Sequence, residues 1–416
     1  MPDRFKRKTC RLCDGATLEL VVPIPPSAIA DAYVPAAKIS EVQPTYPLDL
    51  YYCGSCSHVQ LLDIVSPELM FKDAYTYQSG SSAGIVKHFQ EYADGVLARE
   101  KPAAKSLVID IGSNDGTLLR CFKNAGMTVL GIDPATDLAK AATASGIETI
   151  PSFLNAEVAQ KVRKERGAAR IVTANNVFAH ADDLAGMADS IRALLANDGV
   201  FVFEVSYLVD VVEKVLLGTI FHEHLSYHSV KPMAEFLARH GMELVDVEHV
   251  GIQGGSIIGT AQLRGGPRPV TPRVGELIRS EAERGYHKPD VLRQFAKQLD
   301  QMKKDLGDLI AGAKKKGQGV AGFGASRGGT TLLYKLDIGQ HLDFIADDSP
   351  AKQGLYSPGH HIPIVPGSAL YEKKPAYVFL LAWVHAKAIM KNHQRYLDEG
   401  GRFIVAYPKV EVISKG

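Results

Sequence analysis

The sequence predicts an α/β protein in three parts: a small N-terminal domain followed by two Rossmann-like, doubly wound domains. Three observations lead there. Four of the five cysteines fall before residue 60, in two closely spaced pairs. Short apolar runs alternate with helical patterns over residues 85–264, around a glycine loop. The same alternation resumes around a second glycine loop, after a Gly/Pro stretch at 265–271 and a long helix. A chain of 416 residues exceeds what a single core fills. The expected domains are residues 1–70, 71–265 and 266–416.

Charge excludes some function classes. The 47 basic and 46 acidic residues leave a net charge of +1, which gives no electrostatic case for nucleic acid or a membrane surface. The longest apolar runs, 200–205 and 377–383, are too short to span a bilayer. The basic residues 1–8 are followed by no apolar stretch, so a secretory signal is not expected and the cytoplasm is the default compartment.

In the first domain, Cys10 and Cys13 are two residues apart, and so are Cys53 and Cys56. Each C-x2-C turn aims two thiolates at one ion, and two such turns complete a tetrahedron. Four protein ligands leave no open coordination position, so the expected zinc is structural. His58 is a possible substitute ligand that four cysteines make unnecessary, and Cys121 reads as a small buried hydrophobe.

In the second domain, residues 106–111 (SLVIDI) suit a buried strand, and Gly112-Ser-Asn114-Asp-Gly116 turns it into a helix. The form D-x-G-x-x-x-G, from Asp110, resembles the first motif of class I methyltransferases. That resemblance implies a loop cradling the methionine end of S-adenosylmethionine. Asp133 closes the second strand about 20 residues on, where an acid meets ribose hydroxyls. Pro134 follows it, Phe153 comes just after the third strand and Asn175 ends the fourth; the resemblance implies that Phe153 meets the adenine and that Asn175 lies near the reacting methyl. The third glycine of a dinucleotide fingerprint is not at its place.

After the fifth strand comes Phe221-His222-Glu223-His224-Leu-Ser-Tyr-His228. In an extended segment His222 and His224 would share a face. A second metal and a purely structural cluster are rival readings, but neutral imidazole suits acid–base work. Methylation at carbon needs such a base. A carbon beside a ketone must lose a proton before it attacks the methyl, and the enolate then needs hydrogen-bond donors.

Taken together, the two C-x2-C pairs, Tyr75-Thr-Tyr77-Gln-Ser79-Gly-Ser-Ser, DIGSNDG, NNVFAH, FHEH, GGSI, GFGAS and KQGLYSPGHHIPI resemble the zinc-containing sugar C-methyltransferases of deoxysugar biosynthesis over the whole chain. The resemblance implies methyl transfer to C3 of a dTDP-linked 4-keto deoxysugar, with a 3-amino sugar the nearest match. It implies His224 as base, His180 and Tyr75 lining the reacting sugar, and Glu223 orienting the histidines. The family motif reads Tyr-His-Glu-His, and Phe221 here removes one hydroxyl that would donate to the enolate.

In the third domain Gly324, Ser326 and Arg327 stand at a strand-to-helix turn whose amides favour phosphate. With Lys352, Tyr356, Tyr77 and Ser79 they are the expected contacts to the sugar nucleotide. A nicotinamide site using Asp347 or Asp348, and a purely structural domain, are the rivals. Other rivals for the whole chain are O- or N-methylation of a sugar nucleotide, and a zinc ribbon on an inactive scaffold. A monomer or homodimer is expected.

Overall fold

The structure, a computed structural model, describes residues 3–67, 70 and 78–415. Among them the central sheet has seven strands, in the order Met242–Val250, Ser256–Leu263, Leu195–Ser206, Ala169–Asn175, Leu107–Ile111, Thr128–Ile132 and Thr149–Ile150. Six run in one direction, and only Ser256–Leu263 is antiparallel to both of its neighbours. The sheet reverses its order between Leu107–Ile111 and Ala169–Asn175. That is a topological switch point, where α/β sheets open a crevice for ligands.

The sequence dictates the inner strands. Every residue of Leu107–Ile111 is buried, as a parallel strand covered on both faces requires. The helices that cover them begin at polar caps. The Asn155 side chain accepts from the Val158 amide, and Asp183 accepts from Gly186.

The C-terminal sheet has six strands, ordered Ile364–Pro366, Ile345–Asp347, Val320–Phe323, Tyr377–Leu380, Arg402–Val405 and Glu411–Ile413, with an antiparallel last strand. The long helix Asp290–Lys315 precedes it. Its buried stripe, Leu292, Phe295, Leu299, Met302, Leu306 and Ile310, recurs at three- and four-residue steps along one face.

The N-terminal sheet does not stay within its domain. Its strands Leu18–Val22, Leu50–Cys53 and Val59–Leu61 are joined by Ser226–Tyr227, which follows the FHEH motif. The segment after this sheet's first strand reaches the C-terminal domain, where Val34–Pro35 pairs with Leu355–Tyr356. The cleft is thus bounded by all three parts. No helix among the described residues is long and apolar enough to cross a membrane.

Candidate active site

The half of the site where the cofactor is expected is built by the first glycine loop. Gly112 has φ +67°, and a Cβ there would lie 2.2 Å from Val177 Cγ2. Only glycine lets the loop pass beneath the segment that follows the fourth strand. The Asn114 and Ala135 amides donate to the two Asp133 oxygens, each at 2.8 Å. Burial pushes the Asp133 carboxyl up, and these donors oppose it. The Ser79 amide donates to Asn114 Oδ1 at 3.0 Å, folding the 78–82 segment over the loop. Gly112, Asn114, Asp133, Pro134 and Asn175 line an open cleft of about 1230 Å³, together with the Phe153 ring, which is 40% exposed. A glycine cradle, a strand-end acid and an exposed ring fit a nucleoside carrying a zwitterionic tail.

The chemical half lies on the same cleft. Phe221 and His224 close a turn, with the His224 amide donating to the Phe221 carbonyl at 2.9 Å. His224 Nδ1 lies 2.6 Å from the Thr219 carbonyl, which accepts only from N–H. That bond fixes the proton on Nδ1 and leaves Nε2 as the lone pair. Phe221 packs on one side of the imidazole at 4.0 Å, and His180 stacks at 5.0 Å and 28°. Burial, with Arg327 adding to it and the Thr219 carbonyl opposing, holds His224 down to about 4. His180 is likewise driven well below the usual histidine range by burial, then by His224 and Arg327. Both rings are neutral near pH 7.

The turn separates residues that an extended segment would have aligned. His222 does not share a face with His224. It is buried on the N-terminal-domain side, with Nε2 3.1 Å from the Tyr46 carbonyl. Glu223 turns from the histidines to Arg327, its Oε2 accepting from Nη1 at 2.8 Å. Burial, against Arg327, raises the Glu223 carboxyl to about 7.

Other expected contacts lie behind the cleft wall. Asp110 is buried against the Thr173 hydroxyl at 2.6 Å. Gly116 caps the helix Thr117–Asn124. Gly324 packs against Ala382, and Tyr356 sits in the short strand opposite Val34. Ser79, Ser326, Arg327 and Lys352 do line the cleft. Tyr75 and Tyr77 lie outside the described residues.

The crevice of the C-terminal domain is filled. The Tyr33 hydroxyl donates to the Ala325 carbonyl at 2.6 Å, and a cavity of only about 10 Å³ remains beside it. That is about room for one water, which disfavours a nicotinamide there.

The four cysteine sulfurs lie within 4.8 Å of one another, with Cys10–Cys56 and Cys13–Cys53 at 3.6 Å. A tetrahedron with Zn–S bonds of about 2.3 Å has edges of roughly 3.8 Å. The two turns are built alike: the Asp14 amide donates to the Cys10 carbonyl, and the Ser57 amide to Cys53. Asp14 and Ser57 both take left-handed backbone. His58 stands apart, bonded to Ser226 Oγ and stacked on His228.

Comparison with known proteins agrees with this division. Family models match as a zinc binding domain over residues 10–71, a methyltransferase domain over 86–247 and a C-methyltransferase C-terminal domain over 251–408. The chain is 34% identical over 406 residues to the C-methyltransferase NovU of Streptomyces niveus, covering 97% of this chain and 96% of that protein. This chain belongs to the zinc-containing C-methyltransferase family. It is an S-adenosylmethionine-dependent C-methyltransferase, and its cysteine cluster is a zinc site. Solved structures resemble a smaller part. Magnesium protoporphyrin IX methyltransferase from Synechocystis, with bound S-adenosylhomocysteine, is 19% identical, covers 42% of this chain and 84% of that one, and gives a TM-score of 0.34. An S-adenosylmethionine-dependent methyltransferase from Clostridium acetobutylicum is 11% identical, covers 43% and 92%, and gives 0.36.

In this C-methyltransferase the Gly112 cradle gives a direct test. Gly112→Ala adds a left-handed alanine, at roughly 1–2 kcal/mol, and pushes Val177 into the cleft. Calorimetry with S-adenosylhomocysteine is expected to show affinity at least ~10-fold weaker. Unchanged affinity would mean that the loop yields.

The structure adds residues that the motifs do not reveal. His88 Nε2 and Glu204 Oε2 are 2.5 Å apart on the cleft wall, and the carboxylate raises the imidazole. Glu204 does have a sequence signal, a lone acid in the apolar run VFVFEV, where burial is costly. Thr219 has none, because it acts through its carbonyl.

Proposed function

We propose that the protein methylates C3 of a dTDP-linked 4-keto deoxysugar, with a 3-amino sugar as the favoured acceptor. The observation that carries this reading is His224: a half-buried neutral imidazole, its tautomer fixed by Thr219, on the same cleft as the Gly112 loop. Oxygen and nitrogen acceptors need little help from a base, and a carbon acid does. Gly112, Asn114, Asp133 and Phe153 would hold S-adenosylmethionine, which would supply an electrophilic methyl group.

The chain's own residues then do three things. His224 Nε2 takes the C3 proton, which the C4 ketone acidifies, so the electrons move onto the ketone oxygen. Burial disfavours an isolated imidazolium, and the enolate forming beside it supplies the counter-charge. His180, stacked on the base, is the imidazole nearest to donate to that oxygen. Lys352 and Ser326 line the same cleft and would meet the diphosphate. Lys352 Nζ donates to the Ala325 carbonyl and lies over the Tyr33 ring.

The test is product analysis. The protein is incubated with S-adenosylmethionine and a dTDP-linked 3-amino-4-keto deoxysugar, then the sugar is examined by mass spectrometry and carbon NMR. A methyl on a quaternary C3 supports the reading. A methyl on nitrogen or oxygen overturns it in favour of a heteroatom transferase.

A further inference from the structure

We infer that Arg327 is a positioning residue: it reaches from the C-terminal domain to clamp the turn that carries His224, and does not hold a phosphate of the acceptor. The inference rests on His224 being the base.

The guanidinium divides between two carboxylates. Nε donates to Asp31 of the N-terminal domain and Nη1 to Glu223 of the turn, both at 2.8 Å. Arg327 is thus a point where all three parts of the chain meet. Two carboxylates already offset the guanidinium charge, and drawing Arg327 toward a diphosphate would loosen its pair with Glu223, which is 4% exposed and costly to leave without its cation. That exchange is costly, so the arrangement favours a fixed clamp.

The clamp reaches the base by two routes. Through space, the guanidinium lies over the Phe221 ring at 5.8 Å, and the same ring packs on His224 at 4.0 Å. Through the backbone, the helix Arg327–Lys335 bears on the segment that presents Thr219. A Cβ on Gly328 would fall 2.1 Å from the Gly218 carbonyl oxygen, so glycine is what allows that approach. The Thr331 hydroxyl donates to the Ile220 carbonyl. The carbonyl of Thr219, between those two points, fixes the His224 tautomer.

The charge has a second consequence. Among the described residues, the charged and titratable groups packed around His224 are Arg327 from the C-terminal helix and His180 from the loop after the fourth strand, with Glu223 and Asp31 held on the guanidinium. Of these, Arg327 lowers the affinity of His224 for a proton. Without the cation an imidazolium costs less, so the midpoint must move to higher pH.

The experiment uses the full zinc-loaded chain with S-adenosylmethionine, as Arg327→Gln and Arg327→Lys. Two quantities are read: steady-state kcat and acceptor KM, and the His224 titration midpoint from imidazole ¹⁵N shifts, assigned with His224→Asn. Arg327→Gln is expected to lower kcat at least ~10-fold, to leave KM within about twofold, and to raise the midpoint by about one unit. Arg327→Lys keeps the charge but not the two-pronged geometry, so kcat falls while the midpoint stays near that of the unaltered chain. The Lys variant also stands in if the Gln variant fails to fold. A raised KM with kcat intact overturns the inference and makes Arg327 a substrate ligand. So does an unmoved midpoint in Arg327→Gln. If His224→Asn remains active, the base reading itself fails. If His224→Asn is inactive while both Arg327 variants match the unaltered chain, only the clamp fails.

Discussion

Replacing His224 with asparagine is expected to lower kcat by roughly 10³-fold, the scale of a general base removed from its proton, while S-adenosylhomocysteine affinity stays within about twofold. The substitution is chosen to spare the structure. Asparagine keeps an N–H able to reach the Thr219 carbonyl, and the ring contacts it loses are those with Phe221 and His180. None of these groups belongs to the cofactor loop, whose own bonds run among Ser79, Asn114, Asp133 and Ala135. Single-turnover transfer and calorimetry read the two quantities separately. Parallel loss of both would make His224 a structural residue, and retained turnover would remove it as the base.

What the sequence discloses and what it hides divide along physical lines. Strand and helix alternation, Gly112 with Asp133 and the cysteine spacing are local patterns, and they led to both Rossmann-like sheets, the glycine turn beside a strand-end acid and the zinc site. The chemical half was legible as a set of residue types and not as an arrangement. FHEH looks extended when written out, but the His224 amide bonds back to Phe221, and that one turn sends His222 to Tyr46 and Glu223 to Arg327. The groups that decide the turn are distant in sequence or are backbone carbonyls, which no residue type announces. Glu223 and Arg327 stand 104 positions apart. The filled crevice of the C-terminal domain has the same cause. Tyr33, from 292 positions before Ala325 in GFGAS, bonds to that residue's carbonyl and fills the space behind the loop, while Ser326 at its end still faces the cleft.

The least legible link is the one from zinc to His224, the proposed base, and it carries the second large expected effect. Between Cys10 and Leu12 lies Arg11, buried and pushed down to about 10 by that burial against Asp182. Its guanidinium donates to the Leu61 and Leu225 carbonyls and to Asp182, so it ties the first knuckle to the residue after His224 and to the loop after His180. The Leu61 amide donates to the Leu225 carbonyl as well, and Ser226–Tyr227 extends the zinc domain's sheet. Holding zinc contributes apparent binding energies of about 10–16 kcal/mol in small cysteine sites, which rivals the roughly 5–15 kcal/mol net stability of a whole domain. Cys56→Ser is therefore expected to lose the metal and release Arg11 and the strand, lowering kcat at least ~100-fold. The Gly112 loop has its own sheet and bonds, so S-adenosylhomocysteine should still bind within roughly threefold. Metal analysis, calorimetry and turnover on one preparation check this. A chain emptied of zinc that turns over at the full rate would reduce the N-terminal domain to a cap. Loss of turnover with cofactor binding intact would place the zinc in direct structural support of the base.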